Sequence, residues 1–146
     1  MDTRDRWRHS DVMKTDDEER FAERYSVSGT SADLQAELDA LGSDYEANGY
    51  TTRAQADDLG RALALESGHV LLDLGSGCGW PGLYLAARHG CAVVSVDPVV
   101  EGCRTTRNRA WRDGLRDRSL TLRAGADSIP LRSGRVDAIV HGDLLC

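Results

Sequence analysis

Residues 70–79 read Val70-Leu71-Leu72-Asp73-Leu74-Gly75-Ser76-Gly77-Cys78-Gly79, an apolar run that meets an acid and then three alternating glycines. Few folds accommodate that order. Val70, Leu71, Leu72 and Leu74 supply a strand buried on both faces. Gly75, Gly77 and Gly79 permit positive φ and keep side chains out of the path of a bound molecule. Pro81 suits the first turn of a following helix, where a missing N–H costs nothing. The segment is therefore expected to be the first strand-to-helix turn of an open α/β sheet, with a ligand lying across it.

Two ligands compete for such a turn. Gly77-Cys78-Gly79-Trp80-Pro81-Gly82 satisfies the dinucleotide pattern G-x-G-x-x-G, a weak signal by itself. Asp73 discriminates better. A carboxylate at the strand end would repel a pyrophosphate at short range and attract a ligand carrying an ammonium and a sulfonium. Pro81 points the same way, because it removes a backbone donor from the helix start that phosphates exploit. The order of acid and glycines thus favours S-adenosylmethionine over NAD.

The rest of the chain fits an α/β reading. After Gly68, strands are expected at about 69–74, 92–96, 119–123 and 135–140, with helices at about 80–89 and 99–113 between the first three. Gly90 and Gly114 stop those helices, and Ser128–Gly134 reads as a loop. Upstream, Phe21, Ala22 and Tyr25 offer one apolar helix side. Leu34, Leu38 and Leu41 recur at helical spacing behind a Thr30 or Ser31 cap. Thr52 and Gln55 form a capping box before Leu59 and Leu63. The expected organisation is a disordered polar tail at 1–19, a helical cap at 20–66 and an α/β domain at 67–146.

Residues 69–86 resemble motif I of the class I S-adenosylmethionine-dependent methyltransferases. The similarity extends through Val93-Val94-Ser95-Val96-Asp97, like that family's second strand, and Arg135-Val136-Asp137-Ala138-Ile139-Val140, like its fourth. The resemblance implies a Rossmann-like sheet of order 3-2-1-4 with S-adenosyl-L-methionine as cofactor. It implies that Gly75, Gly77 and Gly79, with Ser76, line the methionine portion, and that Asp73 sits behind its amino group. Asp97, with Pro98 beside it, would take the ribose hydroxyls; its place 22 residues after Gly75 suits one strand–helix–strand unit. The family's acid near the adenine falls here on Gly125, so Ala126 and Asp127 are carried over through a small loop shift.

Members usually continue beyond the fourth strand with three more, so the resemblance implies an incomplete sheet. Strand 4 would then present a bare edge without charge or proline to block pairing, and association through it into a homo-oligomer is expected. The general-base candidate is His141, followed by Gly142 and Asp143, because ligands bind beyond the carboxyl ends of strands; a locally satisfied histidine is the alternative. Family members fold N-terminal helices over the cofactor, which makes Tyr50 and Thr51, and then Tyr25 and Tyr45, contact candidates or plain cap anchors. Trp80 is expected to pack between helix and cap.

Composition narrows the acceptor. The 146 residues carry a net charge of −6 with an isoelectric point near 5.1, which disfavours general nucleic-acid binding. The arginines at 104, 107, 109, 112, 116, 118 and 123 read as a solvated helix face. No apolar run approaches the ~20 residues that span a bilayer. The polar N-terminus lacks the apolar core of a signal peptide, so a cytoplasmic protein is expected. Cys78, Cys91, Cys103 and Cys146 follow neither zinc nor disulfide spacing, and no metal is expected. The expectation is a methyltransferase acting on a small molecule. A binding-only module, and less favourably an NAD-dependent fragment, stand as alternatives.

Overall fold

The computed structural model describes residues 18–25, 31–42 and 51–142. Most of the expected tail (1–17), the Thr30 cap, the side chains of Ser31 and Leu34, Tyr45, Tyr50 and Asp143 lie outside the described residues. The first helix, α1, occupies 18–25, and α2 spans Ser31–Leu41. Helix α3, Arg53–Ala62, starts on the expected capping box: the Thr52 side chain accepts from Gln55 N–H, and the Gln55 side chain accepts from Thr52 N–H.

Beyond α3 the chain alternates as its composition dictates. Strand β1 (Val70–Leu74) is followed by α4 (Gly82–His89), β2 (Ala92–Asp97), α5 (Val100–Arg112), a short 3-10 turn at Arg116–Arg118, β3 (Ser119–Arg123) and β4 (Ala138–His141). All pairs are parallel and the order is β3-β2-β1-β4, the expected Rossmann-like arrangement. Parallel neighbours need crossovers, and α4 and α5 provide two of them. Between β3 and β4 the described residues 124–137 form turns without a helix.

The two faces of the sheet are buried differently. Leu71, Val93, Ala138 and Val140 pack with Leu83, Leu85 and Ala86 of α4 and with Ala110 and Leu115 from α5 and its exit. The opposite face gathers Leu72, Val94 and Val96 under Leu122, Ile129, Leu131 and Val136. A smaller cluster joins Leu41 of α2, Ala56 of α3 and Trp80, with Tyr84 against it. The Trp80 indole N–H donates to the Thr51 carbonyl at 2.7 Å, which ties the turn after β1 to the N-terminal segment. Trp80 therefore packs between helix and cap, as expected.

Three local expectations need correction. β4 begins at Ala138, so Arg135, Val136 and Asp137 precede the strand. Asp137 instead turns its carboxylate onto Val70 N–H at 2.8 Å and caps the start of β1. Leu38 is exposed, and Leu41 carries the inward contact of α2. Arg109 is not on a solvated face: it is 3% exposed and reaches the glycine turn. The helical period places it three residues after the buried Thr106, on the inner stripe of α5.

Candidate functional site

The carboxyl ends of β1, β2 and β4 converge at the bend between β1 and α4. Gly75, Gly77 and Gly79 adopt φ of 66°, 49° and 96°, the left-handed region that other side chains avoid. A Cβ added at Gly77 would stand 3.0 Å from the Tyr25 hydroxyl oxygen, so the turn and α1 touch at this glycine.

Most donors of the turn are engaged inside the protein. Gly75 and Ser76 N–H both donate to Val96 O, at 2.8 and 3.1 Å. Gly77 N–H donates to Asp97 Oδ2 at 2.8 Å, and Gly79 N–H to Ser76 O at 2.7 Å. Gly82 N–H, at the start of α4, donates to Asp73 Oδ2 at 3.1 Å. Pro81, immediately before it, has no N–H to give.

Asp73 is fully buried and sits opposite Ser95 in the β1–β2 register. Its Oδ1 is without a partner among the described residues, as are Ser76 Oγ and Ser95 Oγ. Burial pushes the Asp73 carboxyl up to about 8; the Gly82 hydrogen bond pulls against that and nearby Asp97 adds to it. The sequence pattern suggests a standing negative charge, whereas the enclosed position makes this acid largely neutral at pH 7. A buried cation brought to it would favour its ionised form.

Asp97 closes the other side of the turn. Its Oδ1 accepts from Val99 N–H at 2.8 Å while Oδ2 holds Gly77. Burial raises this carboxyl too, against the pull of those two hydrogen bonds. Pro98 follows at the strand end, its carbonyl accepting from Arg123 Nε at 2.9 Å. Ala124 N–H donates to Asp97 O, so the segment after β3 stays with this end of the sheet. Ala126 and Asp127 form the exposed turn there, with Ser128 Oγ 3.4 Å from Asp127 Oδ1.

His141 ends β4 in register with Leu74 and is exposed, at the same edge as the turn. Thr51 approaches the residue after it: a Cβ on Gly142 would lie 3.4 Å from Thr51 Oγ1. Tyr25 lies against Gly77 and Gly102, and burial, with Asp97 next in weight, raises its phenol well above the usual range. Tyr25 therefore stays a neutral hydroxyl. Sequence reasoning missed Gly102, Thr106 and Arg109 of α5, which stand directly behind the turn. Their spacing of four and three residues on one helix face was the available signal.

Fold and turn together define a Rossmann-like domain of the class I methyltransferase type. The chain belongs to the methyltransferase domain family, whose sequence profile matches residues 72–146. A crystal structure of a SAM-dependent methyltransferase from Thiobacillus denitrificans in complex with S-adenosyl-L-homocysteine is similar at 26% identity and TM-score 0.57, over 65% of this chain and 39% of that one. An RNA methyltransferase from Salinibacter ruber with the same ligand gives 20% identity and TM-score 0.58, over 63% of this chain and 59% of that one. Geranyl diphosphate C-methyltransferase from Streptomyces coelicolor A3(2) gives 19% identity and TM-score 0.61, over 82% of this chain and 42% of that one. The last two show likeness of fold alone. This chain thus spans less than two thirds of each of these proteins. No curated protein matches it in sequence.

Proposed function

We propose that the chain binds S-adenosyl-L-methionine across the β1–α4 turn and transfers its methyl group to a small-molecule acceptor. The observation that carries this reading is where the turn's N–H groups point. Those of Gly75, Ser76, Gly77, Gly79 and Gly82 already donate within the protein, so they form no cradle for a pyrophosphate. Beneath them the unpartnered Asp73 Oδ1 suits an ammonium donor. This arrangement favours a cationic, phosphate-free ligand and counts against NAD.

In this reading Asp73 and Ser76 hold the amino end of the ligand, with Gly75, Gly77 and Gly79 beneath its methionine portion. Asp97 accepts from the ribose on its remaining lone pairs, beside Pro98, while Ala126 and Asp127 border the adenine. Bound S-adenosylmethionine supplies a methyl group already activated by its sulfonium. The protein's part is alignment and exclusion of water. His141 would take a proton from acceptors that must lose one, and Tyr50, with Thr51, would touch the cofactor or the acceptor.

The small-molecule acceptor rests on the acidic composition, which disfavours a nucleic-acid substrate. A helical cap at 20–66, an α/β domain at 67–146 and a cytoplasmic location belong to the same reading. Among the described residues, no helix is long and apolar enough to cross a membrane. Self-association through the β4 edge is also part of it, since β4 pairs only with β1 among the described residues. Sedimentation across a concentration series tests that element.

Isothermal titration with S-adenosylmethionine, S-adenosylhomocysteine and NAD tests the cofactor. Heat with the first two and none with NAD is expected, and the reverse sinks the reading. Radiolabelled methyl transfer to small acceptors, with RNA as a second arm, tests the reaction. Binding without turnover in either arm would leave a binding-only module.

A further inference from the structure

The carbonyls of Gly77 and Cys78 both accept hydrogen bonds from side chains of α5. Thr106 Oγ1 donates to Gly77 O at 2.9 Å, and Arg109 Nη1 donates to Cys78 O at 2.9 Å. Thr106 is 0% and Arg109 3% exposed. One turn earlier, Gly102 brings the helix backbone against the same place, for a Cβ there would lie 2.7 Å from Gly77 O. Gly77 is thus gripped on both sides of its residue: Asp97 holds the N–H and Thr106 holds the carbonyl. Burying a guanidinium is costly unless it is well bonded, and hydrocarbon would fill the space as well. What hydrocarbon cannot do is fix the direction of a carbonyl.

Resting on the function proposed above, we infer that Thr106 and Arg109 are positioning residues. They lock the glycine turn in its ligand-ready shape from behind, without touching the ligand. A ligand then binds a turn already set, and no binding energy goes into ordering it.

The comparison of Thr106→Val, which keeps volume and removes the hydroxyl, with Thr106→Ser, which keeps the hydroxyl, tests this in the full chain. Affinity for S-adenosylhomocysteine should fall about tenfold in Thr106→Val. It should stay within about twofold of the parent in Thr106→Ser, with both variants melting cooperatively. Amide hydrogen exchange provides the second readout. In the ligand-free parent, the Gly75–Gly79 amides should exchange as slowly as those of β2. In Thr106→Val they should quicken while β2 does not. Parental affinity and parental turn protection in a folded Thr106→Val overturn the inference. Fast exchange of the turn in the ligand-free parent also overturns it, whether or not any variant folds. A parent that binds no S-adenosylhomocysteine defeats the proposed function instead, and the exchange data still judge the clamp.

Discussion

Asp73 concentrates the chemistry of the site in one carboxyl group. It holds the first amide of α4 with Oδ2 and leaves Oδ1 unpartnered in a place with no exposure. Because burial pushes it up to about 8, the ammonium of the proposed ligand would have to displace a proton to gain the carboxylate. Binding of S-adenosylmethionine should therefore release a proton below pH 8. Its affinity should climb from pH 6 towards 8 and level off above. Calorimetry in buffers of different ionisation heat measures that release, and a flat profile would remove Asp73 from the ligand. Asp73→Asn keeps an oxygen for Gly82, so the fold should survive. Affinity should fall by about 1–3 kcal/mol and the pH slope should vanish. Asp97 behaves differently, since its two oxygens already brace Gly77 and Val99. Asp97→Ala should lose stability as well as ligand affinity, at about 1–3 kcal/mol for each orphaned buried amide. Thermal melting beside titration separates the two losses, and an unchanged melting temperature would contradict the bracing role.

The packing of α4 against β1 sets local preference against tertiary fit. Helix propensity says Gly82→Ala should stabilise α4 by up to about 1 kcal/mol. Yet the new Cβ would stand 2.3 Å from Asp73 Oδ2 and 2.7 Å from Asp73 Cβ, so helix and strand must separate. Net destabilisation of about 1–3 kcal/mol is expected, read from the urea midpoint; a raised midpoint would mean that the contact yields freely. The same contrast explains what the sequence could and could not reveal. Alternating apolar runs and glycine stops exposed β1, α4, β2, α5 and β3 to within a residue or two, because burial on both faces and helix exits leave composition marks. The start of β4 escaped, since Val136 looks like a strand residue while Asp137 is spent on Val70 N–H. The inner stripe of α5 escaped too. Arg109 looks like its exposed neighbours Arg107 and Arg112, and only the placement of the turn's carbonyls tells them apart. Likewise the glycine turn reads as a ligand site in the sequence, but not as a turn whose own amides are already engaged.

Folding encloses two acids on the side of the sheet covered by α4 and α5, and this shapes the response of the entire domain to pH. Asp73 and Asp97 are both held above their ordinary range by burial. A carboxyl whose folded value is raised takes up a proton on folding. Its contribution is complete below about pH 4 and is lost as pH climbs through the folded value. Asp57 runs the opposite way: the Tyr84 hydroxyl, and then Arg88, hold it below the usual range. Its contribution therefore fades only below about pH 4, outside the neutral window. Between pH 5 and 8 the enclosed acids should dominate, and the urea midpoint should fall across that interval. Asp73→Asn should flatten most of the fall, because it replaces the acid with a group that never ionises. A midpoint that instead rises from pH 5 to 8 would show that these carboxyls are charged in the folded chain. The opposite slopes expected for stability and for ligand affinity have one origin. The proton that Asp73 keeps on folding is the one that the proposed cationic ligand would expel, so that ligand should stabilise the chain most at the pH where the fold alone is weakest.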